Sequence, residues 1–271
     1  MELLGDNLSE LRRKTATGKF SMATTLMLGI VFVRSLEQIH DLGYLHRDVK
    51  PSNFVIGNEG RRNQVFLIDF GLARKYVMPD GSIRPPRDQA GFRGTARYAS
   101  INSHMSRDLG RRDDLWSVLY ILIEFAKGYL PWRKLKEKDE IRDVKINMNT
   151  PELCADLPKE FLQFMDHLQA LDYADRPDYD YLIQLLQHRL KLMGCDEHTP
   201  YDWEVGATST TLSPMPSSPD RHRPDSAGVP VMSNEIGGHA TSTGTGAQKD
   251  DPENPVVYKL VAGARRGGAQ H

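Results

Sequence analysis

Cysteine is scarce in this chain. Cys154 and Cys195 are the only two in 271 residues, far apart and with no cysteine or histidine beside them at metal-ligand spacing. That argues against a disulfide framework or a zinc site and for two reduced thiols in a cytosolic setting. A large net charge is also lacking: 35 lysines and arginines stand against 36 aspartates and glutamates, a formal charge of -1, so no global field draws nucleic acid. The N-terminus, MELLGDNLSELRRK, is acidic early and has no basic stretch leading into an apolar run, unlike a secretory signal. The longest unbroken apolar stretch, around VLYILIEFA (118–126), is too short for a bilayer and carries Glu124. No internal repeat is visible. These readings predict a soluble protein without membrane or nucleic-acid partners, located in the cytoplasm with the nucleus left open.

What is present can fill one core, since 39% of the residues are hydrophobic. From about Thr208 the composition turns to Ser, Thr, Pro and Gly, and the one aromatic after Trp203 is Tyr258. Such a segment cannot bury enough apolar surface to offset its chain entropy, so 204–271 is expected to be a disordered tail behind a folded unit over 1–203. Ser213-Pro214 and Ser218-Pro219 fit proline-directed phosphorylation, although such pairs are equally ordinary in tails of this kind.

Within the folded unit, Leu28, Phe32, Leu36 and Ile39 recur at helical spacing, with Thr24 or Thr25 as a cap and Gly43 as the stop. FVIG and QVFLIDF, around NEGRRN, predict a small hairpin. Asp114 is expected to open an almost wholly apolar helix ending at Gly128, which places it through the middle of the domain. Phe161, Phe164, Met165 and Leu168 mark a further helix, and Leu182, Leu185, Leu186 and Leu190 a last one before Gly194. The predicted fold is mainly α with a small β-hairpin.

The chemistry is concentrated in YLHRDVKPSNFVIG (44–57). His46-Arg47-Asp48 with Asn53 fits H-R-D-x-x-x-x-N, and Asp69-Phe70-Gly71 follows one hairpin later. Either triplet alone is weak; in this order and separation the pair resembles the catalytic and metal loops of a protein kinase. Phosphoryl transfer needs an aimed hydroxyl and neutralised phosphate oxygens. The resemblance implies that Asp48 accepts the substrate hydroxyl proton, that Lys50 meets the transferring phosphate of ATP, and that Asn53 and Asp69 hold Mg²⁺. Lys50 at this position is typical of serine/threonine-specific members.

GTARYASINSH (94–104), where most protein kinases have Ala-Pro-Glu, and RRDDLWS (111–117) resemble the casein-kinase-1 group. MELLGDNLSELRRK, IRPPRDQAGFRGTARYAS and LPWRKLK look most like the tau-tubulin kinases within it. The likeness implies that MELLG is the hinge, with Glu2 and Leu4 at the adenine of ATP and Val55 and Ile68 as its apolar floor. It also implies that Asp114 holds the catalytic loop and that His46 and Phe70 pack in a spine. Read without the family, the apolar residues are core and Asp114 is a helix cap. The arginines of the segment 75–112, Arg97 foremost, together with Arg47, are candidates for recognising acidic or phosphorylated protein, with Asp80, Asp88, Asp108, Asp113 and Asp114 as competing partners. Arg176 has no glutamate in the position where such an arginine is normally paired, so its partner is open.

No G-x-G-x-x-G occurs in the sequence and no strand lysine precedes the catalytic loop. The sequence therefore reads as a kinase C-terminal lobe starting at the hinge, without its N-terminal lobe. Alone it is expected to transfer phosphate negligibly. Two functions follow: a serine/threonine kinase acting on protein substrates, microtubule proteins being suggested by the family name alone, or an inactive lobe that competes for substrates and partners. Oligomeric state is left open.

Overall fold

Asn7 caps α1 (Leu8–Lys14) in the computed structural model: its Oδ1 accepts the Glu10 amide at 3.0 Å, and Leu8 and Leu11 turn inward. The structure describes residues 4–58, 60–148 and 150–208. Glu2 and nearly all of the tail, with both Ser-Pro pairs, lie outside the described residues.

The cap of α2 (Met22–Asp41) is Ser21, not Thr24 or Thr25; its hydroxyl accepts the Thr24 amide at 3.1 Å. Both threonines sit buried in the first turn because other acceptors take them. Thr24 Oγ1 donates to Asp202 at 2.9 Å, and Thr25 Oγ1 donates to the Ser21 carbonyl at 2.9 Å. Past Gly43, β1 (Tyr44–Leu45) leads to a 3-10 turn (Pro51–Asn53) and the hairpin β2 (Phe54–Ile56) and β3 (Val65–Leu67). The register is Phe54↔Leu67, Val55↔Phe66 and Ile56↔Val65. The segment at Gly5 and Asp6 runs along the hairpin edge, since Gly5 donates to the Ile56 carbonyl at 2.8 Å and Ile56 to the Asp6 carbonyl at 3.0 Å. β4 (Arg74–Lys75) returns antiparallel to β1.

The remaining helices are α3 (Ile101–His104), α4 (Arg111–Lys127), α5 (Lys138–Asn147), α6 (Thr150–Leu153), α7 (Lys159–Ala170), α8 (Tyr179–Leu192) and α9 (Asp202–Thr208). The central helix α4 opens at Arg111, three residues before the expected Asp114, because Asp113 Oδ2 accepts the Gly110 amide at 2.8 Å and closes the first turn. It ends, as the pattern predicts, at Gly128 in the left-handed conformation (φ 85°). Its Leu115, Val118, Leu119, Ile121 to Ile123 and Phe125 are fully buried. Each such side chain stabilises by about 1.5–3 kcal/mol relative to exposure.

The helix α2 packs between α4 and α8 and joins the hairpin through Phe32, whose ring stacks on Phe54 with centroids 3.8 Å apart. Among the described residues it is the one helix long and apolar enough to cross a bilayer, a property the stretch 118–126 does not have. Here that composition serves the core: 13 of its residues are buried. Arg176 finds its partners on α2, bonding Asp41 and Glu37, the latter at 3.2 Å, and lying over the Tyr179 ring.

Candidate active site

The loop from His46 to Asn53 hangs from one carboxylate on α4. Asp114 Oδ2 accepts the His46 amide at 2.8 Å and faces His40 Nε2 at 2.9 Å; Oδ1 accepts the Arg47 amide at 2.8 Å. Burial pushes this carboxyl up, but the bond and charge of His40 and the amide of His46 outweigh it and hold it below the usual carboxylate range. The grip matters because Arg47 lies in the left-handed region (φ 66°), which a non-glycine residue occupies only when its surroundings insist. Asp69 shares that strain (φ 64°). The helix-cap reading of Asp114 is replaced by a loop-suspending one.

Asp48 is held from both sides. Oδ2 accepts Lys50 Nζ at 2.5 Å and Oδ1 accepts Thr95 Oγ1 at 2.8 Å, while a tenth of its side chain stays exposed. Thr95 can approach because Gly94 precedes it: a Cβ on Gly94 would stand 2.6 Å from the Arg47 carbonyl, and its φ is +91°. Thr95 is a site residue that motif reading missed; its signal was the Gly-Thr pair in GTARY, whose meaning depends on which loop it meets.

Asn53 is buried and donates from Nδ2 to the Asp48 carbonyl at 2.9 Å, which fixes the amide and presents Oδ1 as its acceptor. The Ile68 amide donates to the Asn53 carbonyl at 2.8 Å, so the hairpin delivers Asp69 beside the catalytic loop. The Asp69 side chain is exposed and accepts the Gly71 amide at 3.2 Å. One open carboxylate and one amide oxygen are hard donors of the kind Mg²⁺ uses when phosphates complete its shell. Among the described residues no three His, Cys, Asp or Glu side chains gather into a metal cluster. His46 packs on Phe70 with ring centroids 5.2 Å apart, and its Nε2 faces the Ile68 carbonyl at 3.2 Å. Burial, first among several influences, lowers the His46 pKa.

Leu4 and Val55 line one cavity of about 430 Å³ with Gly5, Asp6, Ile56 and Gly57; Ile68 lies outside its wall. Of the candidate anion-binding arginines, Arg97 is committed, its Nη1 facing Glu124 Oε1 at 3.3 Å and its Nη2 donating to the Arg133 carbonyl at 3.2 Å. Glu124 also receives Arg12 at 3.5 Å and the Tyr98 hydroxyl at 2.6 Å, a convergence of separate elements no sequence window displays. Asp108 takes Arg74 at 2.7 Å and Arg87 at 2.9 Å. Arg47 is different: its Nε donates to the Leu72 carbonyl, and burial first, then Arg74 and Arg93, bring its guanidinium down to about 10.

Comparison with known proteins agrees with this architecture. Over 210 residues the chain is 62% identical to a "probable serine/threonine-protein kinase" of Dictyostelium discoideum, covering 77% of this chain and 42% of that protein. Over 222 residues it is 40% identical to a "probable casein kinase I homolog" of Encephalitozoon cuniculi, covering 79% of this chain and 72% of that one. The chain thus spans about two fifths of the first relative's length and more than two thirds of the second's. The protein kinase domain model matches residues 1–190, and with the suspended H-R-D loop and the D-F-G hairpin in place, the chain belongs to the protein kinase family.

Proposed function

We propose that this chain carries the catalytic body of a serine/threonine protein kinase of the tau-tubulin kinase type, transferring the γ-phosphoryl group of ATP to protein hydroxyls with Mg²⁺. The observation that carries the reading is Asp48, held by Lys50 and Thr95 on a loop suspended from Asp114. An incoming hydroxyl reaches the exposed edge of Asp48, which orients it and accepts its proton. Lys50, already 2.5 Å from that carboxylate, is placed to swing to the phosphate and offset its developing charge. Asn53 and Asp69 would hold Mg²⁺, which supplies charge neutralisation at the phosphates. Leu4 and Val55 would bracket the adenine, with Glu2 and Ile68 at its borders. His46 and Phe70 would carry packing from the loop upward, and Arg47 would receive an anionic group.

We assign the kinase body to 1–203, the tail to 204–271, and the protein to the cytoplasm with protein substrates, microtubule-associated ones among them. A second reading is a non-transferring lobe that binds substrates or partners. The two separate on Asp48→Asn in the longest native form of the protein. Transfer to protein serine or threonine is expected to vanish while ATP affinity is kept. Undiminished transfer sinks the assignment of the base, and absence of transfer in the unsubstituted native protein favours the lobe reading.

A further inference from the structure

Lys145 on α5 is 5% exposed, and no carboxylate among the described residues offsets its burial. Its Nζ donates to the carbonyl of Ala99 at 2.6 Å and of Ala96 at 2.9 Å, and lies 3.4 Å from His104 Nε2. The ammonium sits over the rings of Tyr120 and Trp132, 4.7 and 4.9 Å from their centroids. A methionine would fill that slot without the cost of burying an amine, a cost that also drives the Lys145 pKa well below its ordinary value.

The backbone it meets explains why an amine stands there. From 96 to 99 four successive carbonyls point away from any ladder, and each is met by a side chain: Ala96 and Ala99 by Lys145, Arg97 by Trp132 Nε1 at 2.8 Å, Tyr98 by Ser117 Oγ at 2.8 Å. A single amine with several donors on a long stem can serve two of them at once. The strip thus fastened begins one residue after Thr95, whose hydroxyl holds Asp48 and whose carbonyl accepts the amides of Tyr98 and Ala99 at 2.9 Å each. The aromatic walls and His104, itself 3.1 Å from the Ala96 carbonyl, keep water out of the junction.

We propose that Lys145 is a positioning residue for phosphoryl transfer: by capping the Ala96 and Ala99 carbonyls it fixes the 95–99 strip and, through Thr95, the rotamer of Asp48. The inference rests on the kinase reading for its catalytic part and on geometry alone for its structural part.

The test is hydrogen exchange on the full chain carrying Lys145→Met, read at the Tyr98 and Ala99 amides, with phosphate transfer measured in the longest native form. The expected result is exchange at least about 10-fold faster at those two amides, unchanged rates in α7 and α8, and a kcat about 10-fold or more lower at unchanged KM for ATP. Unchanged exchange at Tyr98 and Ala99, or an equal rise throughout α7 and α8, overturns the proposal; so does local loosening with full kcat. If Lys145→Met does not fold, Lys145→Gln, which keeps an NH₂ group on a shorter stem that does not reach both carbonyls, is expected to give the same local effect in smaller measure, and its absence is equally decisive. Failure of the kinase reading shows separately, as no transfer from the unsubstituted protein, and leaves the exchange result to judge the clamp.

Discussion

Replacing Asp114 by asparagine tests how the catalytic loop is held. Three donors share two carboxylate oxygens: the His46 amide and His40 on Oδ2, the Arg47 amide on Oδ1. An asparagine has one acceptor oxygen. Placed at the Oδ2 position, it keeps two of the bonds as neutral ones, each weaker by about 1 kcal/mol, and turns its own NH₂ toward the Arg47 amide. A buried donor facing a donor costs about 1–3 kcal/mol, so the total is about 3–5 kcal/mol. Arg47 then loses the bond that holds its left-handed backbone, and the loop relaxes first beside Asp48. Thermal unfolding of the full chain should show a midpoint lower by about 10 °C for a folded unit of this size. A loss under about 1 kcal/mol would refute the reasoning, because it would mean that other groups hold the loop.

Three further outcomes are expected. Gly94→Ala places a methyl 2.6 Å from the Arg47 carbonyl at a φ of +91°, so it should cost about 2 kcal/mol and lower kcat with ATP affinity preserved, read by steady-state kinetics with a binding titration. Asp69→Asn, chosen because asparagine tolerates the left-handed backbone, should leave stability within about 0.5 kcal/mol but lower Mg²⁺-dependent nucleotide affinity at least about 10-fold, since the side chain is exposed and makes one local bond; an unchanged titration rejects the metal site. His104 is pushed down to about 4 by burial first and then by Lys145, Lys138 and Arg142. The unfolded chain takes up that proton near pH 6.5, so stability is complete above this pH and is lost as pH falls toward about 4, by up to about 3 kcal/mol. His104→Gln should flatten that part of a melting-temperature profile against pH.

The elements built from local periodicity were legible from sequence. α2, α4, α7 and α8 follow the spacing of Leu28, Phe32, Leu36 and of the apolar residues from Leu115 to Phe125, and the hairpin follows its β-rich runs. Helix starts were less so: several residues near each end can cap, and Asp202, 178 residues beyond Thr24, decides between them. The core of the site was legible because H-R-D, Asn53 and D-F-G sit within one short stretch. Thr95, Glu124 and Lys145 were not, because their roles arise where α1, α4, α5 and the 94–99 strip converge. The fate of Arg97 was equally hidden; its charge is answered by Glu124, which looked like an interruption in an apolar helix.

The span-like composition of α2 bears on biogenesis. Its principal covering partner, α8, begins roughly 140 residues further along the chain, and at common translation speeds that is on the order of ten seconds of synthesis. During that interval a 20-residue helix without its cover presents leucine, isoleucine, valine and phenylalanine to the cell. The yield of the chain is therefore expected to depend on holding chaperones more than the stability of the finished fold would suggest.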